Sequence, residues 1–126
     1  VGWSEPELRK DLPDPTCQGS ALKLTCGPLA GHVLLSNLNQ TVEDLGNGNH
    51  CRIRANLSVR VSPDDGRTWS AAVPIEPRPS GYSDLAQLPD GRVLCLFENG
   101  DERYNERLSL VRFDPASLLR NVADGA

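Results

Sequence analysis

The sequence predicts an all-β fold, and three observations lead there. Seven short strand-like runs follow one another: "SALKLTC", "GHVLLSNL", "RANLSVRVS", "SAAVPI", "SDLAQL", "RVLCLFE" and "RLSLVRF". Segments rich in Gly, Pro, Asn and Asp separate them, namely "GPLAG", "LGNGNH", "SPDDG", "PRPSG", "LPDG" and "NGDERYNE". Short strands with such regular punctuation indicate a sandwich, a barrel or a propeller. The third observation is an internal repeat: "WSEPELRKDLPDP" at Trp3 and "WSAAVPIEPRPSG" at Trp69 share a Trp-Ser start, an apolar residue and a Pro-rich exit. Repeats spaced by a few tens of residues suggest units that bury their faces only against their neighbours. The first copy opens at its Trp without a hairpin before it, as expected of a portion of a larger repeat protein.

The elements follow in order. Cys26 ends the first run and Cys95 lies inside "RVLCLFE", so small buried thiols are the default reading for both. Cys17 and Cys51 complete the set; none of the four forms a Cys-x-x-Cys pair, and with His32 and His50 as the only histidines no metal site is expected. Disulfides and the redox compartment stay open. The insertion "TVEDLGNGNH" lengthens the interval between the two Trp-Ser copies. Asn39-Gln40-Thr41 and Asn56-Leu57-Ser58 match the glycosylation acceptor pattern, which matters only in a eukaryotic secretory context.

The sharpest local motif is "SPDDGRTW", Ser62 to Trp69, which fits Ser-x-Asp-x-Gly-x-Thr-Trp at every fixed position. Its logic is a hairpin turn that closes on itself. Asp64 can accept turn N–H groups, Gly66 can take positive φ, Thr68 can bond locally, and Trp69 anchors the return strand. Beyond it, in "RPSGYSDLAQLPDG", Tyr82 opens an apolar run instead of sitting inside one. That position either presents a phenol at a strand end or packs a ring over a loop. The chain closes with a helix in "FDPASLLRNV", where Asp114 is the N-cap, Pro115 takes the first helical position, and Leu118, Leu119 and Val122 form the apolar face.

Composition narrows the function classes. The 126 residues suffice for one ordinary core, and 38% hydrophobic with 24% charged residues reads as globular. A net charge of −4 and scattered Lys and Arg leave no basic field for nucleic acid. No apolar stretch is long enough to span a bilayer, and "VGWSEPELRK" lacks the form of a signal peptide, so a soluble chain is expected.

Taken together and in this order, "WSEP", "CQGSALKLT", "RANLSVRVSPDDGRTWS", "GYSDLAQLPDGRVLCLFENG" and "LSLVRF" resemble the C-terminal portion of the catalytic propeller of the bacterial-type exo-α-sialidases, or neuraminidases. These glycoside hydrolases remove terminal sialic acid and fold as six-bladed β-propellers. The resemblance covers nearly the whole chain and implies that residues 1–126 are a partial sialidase catalytic domain. It implies about two to two and a half blades plus the C-terminal helix, with the Asp box of the family at residues 62–69.

The resemblance also assigns roles. It makes Tyr82 the catalytic nucleophile. The reacting carbon of a sialoside carries a carboxylate, which would repel an acidic nucleophile but not a neutral phenol. A phenol of pKa about 10 in turn needs a carboxylate base. Arg54 resembles the third arginine of the triad that grips the substrate carboxylate, a task suited to the planar guanidinium fork; Arg52 stands two residues away, and Arg54 is preferred because it directly leads "ANLSVRVS". Glu98 resembles the carboxylate that orients the first arginine of the triad, its bland alternative being the first solvated residue beyond a buried strand. Gln18 and Ser20 resemble a segment near the substrate pocket, with backbone-turn duty the equal alternative.

The family's other two arginines, its acid/base aspartate and the glutamate that activates the tyrosine have no counterparts among these residues, so the chain by itself is expected to be catalytically crippled. The implied activity is retaining hydrolysis without a cofactor, on sialoglycoproteins, gangliosides or sialylated oligosaccharides. The alternative is an inactive sialic-acid-binding or structural Asp-box module. A hydrolase of the same type acting on another sugar is disfavoured by Arg54, Tyr82 and Glu98, which suit an anionic substrate. Self-association through open propeller edges is expected. The compartment is left undetermined, with an extracellular or periplasmic place compatible with the longer protein.

Overall fold

The computed structural model describes residues 2–41 and 54–124. Six strands run in chain order: β1 (Ser20–Lys23), β2 (Val33–Leu38), β3 (Ala55–Ser62), β4 (Val73–Gln87), β5 (Val93–Asn99) and β6 (Arg107–Phe113). A helix, α1 (Ser117–Asp124), follows them. Each strand pairs antiparallel with the next, giving the spatial order β1-β2-β3-β4-β5-β6. The fold is all-β and has the form of part of a β-propeller.

Strand β4 belongs to two sheets. Its first half pairs with β3 and closes a four-stranded sheet; its second half pairs with β5 and opens a three-stranded one. Propeller blades are four-stranded, and the described residues form one four-stranded unit and three strands of a second. A correction concerns "PRPSG", expected to be a turn between two strands. It lies within β4 instead, which continues through Pro74, Pro77 and Pro79. Proline is tolerated there because the first half of β4 ends its sheet, so missing N–H groups fall on an edge. The β3–β4 register accordingly shifts twice, between Ala55 and Leu57 and between Leu57 and Ser58.

The core lies on the facing sides of the two sheets. Leu34 opposes Val61 and Leu38 opposes Leu57, all essentially without solvent exposure. From the second sheet Leu85 opposes Cys95, and Val93 pairs with the half-buried Phe113. Leu118 of α1 completes this cluster. The Asp114 carboxylate accepts the Ala116 N–H at 3.0 Å as a cap would, but Pro115 and Ala116 form a turn and the helix begins at Ser117, two residues after the expected first helical position. The Leu118 side of the helix is buried and Leu119 is exposed, while the side chain of Val122 lies outside the described residues.

The Ser62–Trp69 hairpin closes on itself. Asp64 accepts the Thr68 N–H at 2.8 Å and the Thr68 hydroxyl at 2.7 Å, the Gly66 N–H donates to Ser62 Oγ at 2.7 Å, and the Trp69 indole donates to the Gly66 carbonyl at 3.0 Å. Gly66 has φ of +87°, a conformation glycine adopts without strain. The Trp3 copy behaves differently. Trp3 is fully exposed, and no strand forms between residues 2 and 9. The segment after it instead forms a strap. Arg9 donates to the carbonyls of Gly66 and Arg67 at 2.8 and 2.9 Å, Asn37 donates to the Pro13 carbonyl, and Arg54 donates to the Thr16 carbonyl.

Candidate functional site

The site begins with an irregularity in the β4–β5 ladder. Ser80 pairs with Asn99 and Ser83 with Phe97, so Gly81 and Tyr82 together oppose the one residue Glu98. This is a β-bulge, a device that re-aims side chains beside functional sites and leaves an N–H outside the ladder. The Tyr82 N–H is taken up by the Glu98 carboxylate at 3.0 Å. The Tyr82 side chain is 50% exposed. Tyr82 and Glu98, predicted separately, therefore meet in one local structure, with Glu98 holding the backbone that carries the phenol.

Gly81 is required by close approach. A Cβ there would lie 2.5 Å from Glu98 Oε2 and 2.5 Å from Cδ2 of Tyr104, too near for any real contact. The isolated glycine before Tyr82 was the sequence signal for this bulge, since glycine inside a strand marks a bulge or a close neighbour.

From the other side the bulge is held by the chain before β1. The Gln18 amide donates to the Ser83 carbonyl at 3.0 Å and accepts the Ser83 N–H at 3.1 Å, so its two ends replace a ladder pair. Ser20 Oγ bonds the Asp84 carboxylate at 2.9 Å and accepts the Leu85 N–H at 3.2 Å. The hydroxyls of Ser36 and Ser83 meet at 2.8 Å in the interior. These contacts set β1 beside the second half of β4. Gln18, Tyr82, Asp84 and Glu98 line a cleft of about 360 Å³, with Leu96 and Leu108 as its apolar side.

Arg54 joins the site through aromatic rings. Its guanidinium carbon lies 6.0 Å from the centroid of the Tyr82 ring and 5.3 Å from that of Tyr104. Nη2 donates to the Thr16 carbonyl at 3.0 Å, and Nε is buried without a hydrogen-bond partner. Tyr104 was not anticipated; its signal was an aromatic residue in the otherwise charged loop "NGDERYNE". Arg52, the neighbour weighed against Arg54, and Cys51 and His50 lie outside the described residues. Cys17 sits half-buried near Arg54 and Glu98, and burial pushes its thiol pKa up. Cys17, Cys26 and Cys95 are free thiols. Among the described residues no cluster of His, Cys, Asp and Glu could hold a metal, and no helix is long and apolar enough to cross a membrane.

A BNR repeat-like domain matches residues 1–95, three quarters of the chain, which takes in Gln18, Arg54 and Tyr82 and stops short of Glu98 and Tyr104. The chain belongs to this family. It is 33% identical over 99 residues to the sialidase of Micromonospora viridifaciens, a stretch covering 74% of this chain and 14% of that protein. It is 34% identical over 80 residues to sialidase-4 of Homo sapiens, covering 60% of this chain and 16% of that protein. Sialidase-4 of Mus musculus is 36% identical over 83 residues, 62% of this chain and 17% of that protein. The chain is thus a sialidase-like BNR module with glycoside hydrolase resemblance, and it spans about one sixth of the length of these relatives.

Proposed function

We propose that this module supplies the nucleophile and one carboxylate-binding arginine to the active site of a retaining exo-α-sialidase acting on sialylated glycans. The observation that carries the reading is the bulge at Gly81–Tyr82, which exposes a phenol in a cleft beside Arg54 and spends the Glu98 carboxylate on holding it there. In this reading Tyr82 Oη attacks the anomeric carbon and forms a covalent aryl glycoside as the bond to the aglycone oxygen breaks. The phenolic proton passes to a carboxylate base and the leaving oxygen takes a proton from an acid. Water then cleaves the tyrosyl bond, and two inversions give net retention. Base and acid are not among the residues assigned here, and the length ratio to the relatives leaves ample chain to supply them.

Arg54 binds the substrate carboxylate through its guanidinium, whose planar fork suits two parallel bonds. Gln18 acts on the substrate indirectly, since both ends of its amide are engaged with Ser83. Residues 62–69 serve as the Asp box, a purely structural hairpin.

The test is hydrolysis of a fluorogenic sialoside by the longer sialidase that carries this module, with Tyr82→Phe alongside. The variant is expected to lose the normal turnover by at least about a hundredfold, the loss typical of removing a positioned catalytic group. Wild-type turnover by Tyr82→Phe would overturn the nucleophile assignment, and no turnover by the unsubstituted protein would leave the binding-module reading in its place.

A further inference from the structure

We propose that Tyr104 is the positioning residue for Arg54, its ring forming the platform that holds the guanidinium plane so that one edge stays open for a carboxylate; the identity of that carboxylate rests on the sialoside reading above. Tyr104 is the nearer of the two rings, 5.3 Å from the guanidinium carbon and inside the roughly 6 Å over which a cation is attracted to a ring face. Nη2 of the arginine donates to the Thr16 carbonyl. Its Nε is buried without a hydrogen-bond partner, so packing alone shields this N–H from solvent and its exchange reports how firmly the guanidinium is held.

The choice of an aromatic neighbour has a chemical reason. A glutamate or aspartate in that place would bond the guanidinium and occupy the edge an incoming carboxylate needs. A ring face holds the plane through its quadrupole and leaves the N–H groups free.

The loop that carries Tyr104 is built to be rigid. The Glu106 carboxylate accepts the N–H groups of Asp101, Glu102 and Arg103 at 2.7, 3.3 and 3.1 Å. Asp101 is tied to Arg78 on β4 and to Arg107 on β6, at 3.2 and 2.9 Å. Tyr104 then presses against Gly81, where a single added Cβ would meet its ring. The same loop therefore sets the distance to Arg54 and backs the bulge that carries Tyr82. Tyr104 is only half-buried and lies outside the hydrophobic core cluster, so the ring is not placed there to fill the interior.

The experiment follows the Arg54 Nε–H signal by NMR in the 126-residue chain with labelled arginine, comparing wild type, Tyr104→Phe and Tyr104→Leu. Phe keeps the ring face; Leu keeps bulk without it. Solvent exchange of the Arg54 Nε–H is expected to speed up roughly tenfold in Tyr104→Leu and to stay near wild type in Tyr104→Phe. Equal exchange in all three, or equal loss in both variants, would overturn the platform. N-acetylneuraminic acid and its methyl ester are then titrated onto each protein. The acid is expected to shift the Arg54 signal and to bind roughly tenfold more weakly to Tyr104→Leu, with the uncharged ester unaffected by the substitution. A merely structural role would weaken acid and ester alike and would sink the proposal. If the exchange pattern appears and the longer sialidase carrying this module ignores the acid in the same titration, the platform stands and the sialoside reading fails.

Discussion

The Ser62–Trp69 hairpin and the Gly81–Tyr82 bulge are both interruptions of the sheet, and they are held in opposite ways. The bonds that close the hairpin come from within it, Asp64 with Thr68, Ser62 with Gly66, and the Trp69 indole with Gly66, while Arg9 and Lys23 attach to its outside at the Gly66 and Arg67 carbonyls and at Asp65. Every bond that shapes the bulge comes from elsewhere: Glu98 across the ladder, Gln18 and Ser20 from before β1, and Tyr104 from the loop after β5. The hairpin turns its aromatic residue back onto its own backbone, whereas the bulge turns its aromatic residue out into a cleft. Self-bonded irregularity serves stability, and irregularity bonded from a distance can place one group where chemistry needs it.

The largest break in this comparison is expected from Gly81→Ala. The new methyl group meets a carboxylate oxygen and an aromatic carbon at 2.5 Å, so Glu98 and Tyr104 must both move and Tyr82 moves with them. Sialoside turnover by the longer enzyme should fall roughly a hundredfold, the scale of a misplacement of about 1 Å at a reacting group. Stability should change far less. Turnover within a few-fold of wild type would show that the bulge does not set the nucleophile.

Gly66→Ala is the matched change in the hairpin. There the obstacle is backbone conformation at φ +87°, and forcing an L-residue into it costs about 1–2 kcal/mol. Denaturant unfolding should show that loss, with turnover per folded molecule unchanged. A selective loss of turnover in Gly66→Ala would mean that the two irregularities are coupled.

The comparison also explains what could be read in advance. The hairpin was legible because its partners are its neighbours, so Asp64, Gly66, Thr68 and Trp69 could each be given a bond from the motif alone. Tyr82 and Glu98 were legible as types, through the resemblance, but nothing in the order of residues placed the Glu98 carboxylate on the Tyr82 N–H. Gln18 was left between pocket and turn because its partner, Ser83, lies far along the chain. Tyr104 was missed for the same reason: its partners, Gly81 and Arg54, are distant in sequence. "PRPSG" reads as a turn because two prolines and a glycine in five residues are turn-formers, and only the topology makes that half of β4 an edge.

A smaller effect separates the two irregularities by pH. Hydrogen bonding from Thr68 is the main cause that holds the Asp64 carboxyl below its ordinary range. A carboxylate whose folded pKa is depressed stabilises the fold above its unfolded pKa and loses that contribution as pH falls through the folded value. The acid side of the stability profile, below the ordinary carboxylate pKa of about 4, should therefore be less steep in Asp64→Asn than in wild type. Thermal melting from pH 6 downward checks this, and parallel profiles would show that Asp64 titrates alike in both states. Glu106, held low chiefly by the Asp101 N–H, has the same sign, so Glu106→Gln should flatten the profile too, but with a change at Arg54 that Asp64→Asn lacks.

The smallest effect tests whether the hairpin can loosen without disturbing the half of the molecule that carries the site. Cys95 lies opposite Leu85 on β4, fully buried, and burial pushes its thiol pKa up to about 12. Thiolate is the reactive form, so Cys95 should label slowly at pH 8, and its rate reports opening of the β4–β5–β6 sheet. If the hairpin is closed only by its own bonds, Gly66→Ala should leave Cys95 labelling within about twofold of wild type under conditions where the chain stays folded, since sites that share no partners act independently. Gly81→Ala strains the ladder that contains Cys95 and should accelerate labelling more. The reverse order would place the weak point of the second sheet in the strap, where Arg9 joins the Gly66 carbonyl to the segment leading to Gln18, and not in the bulge.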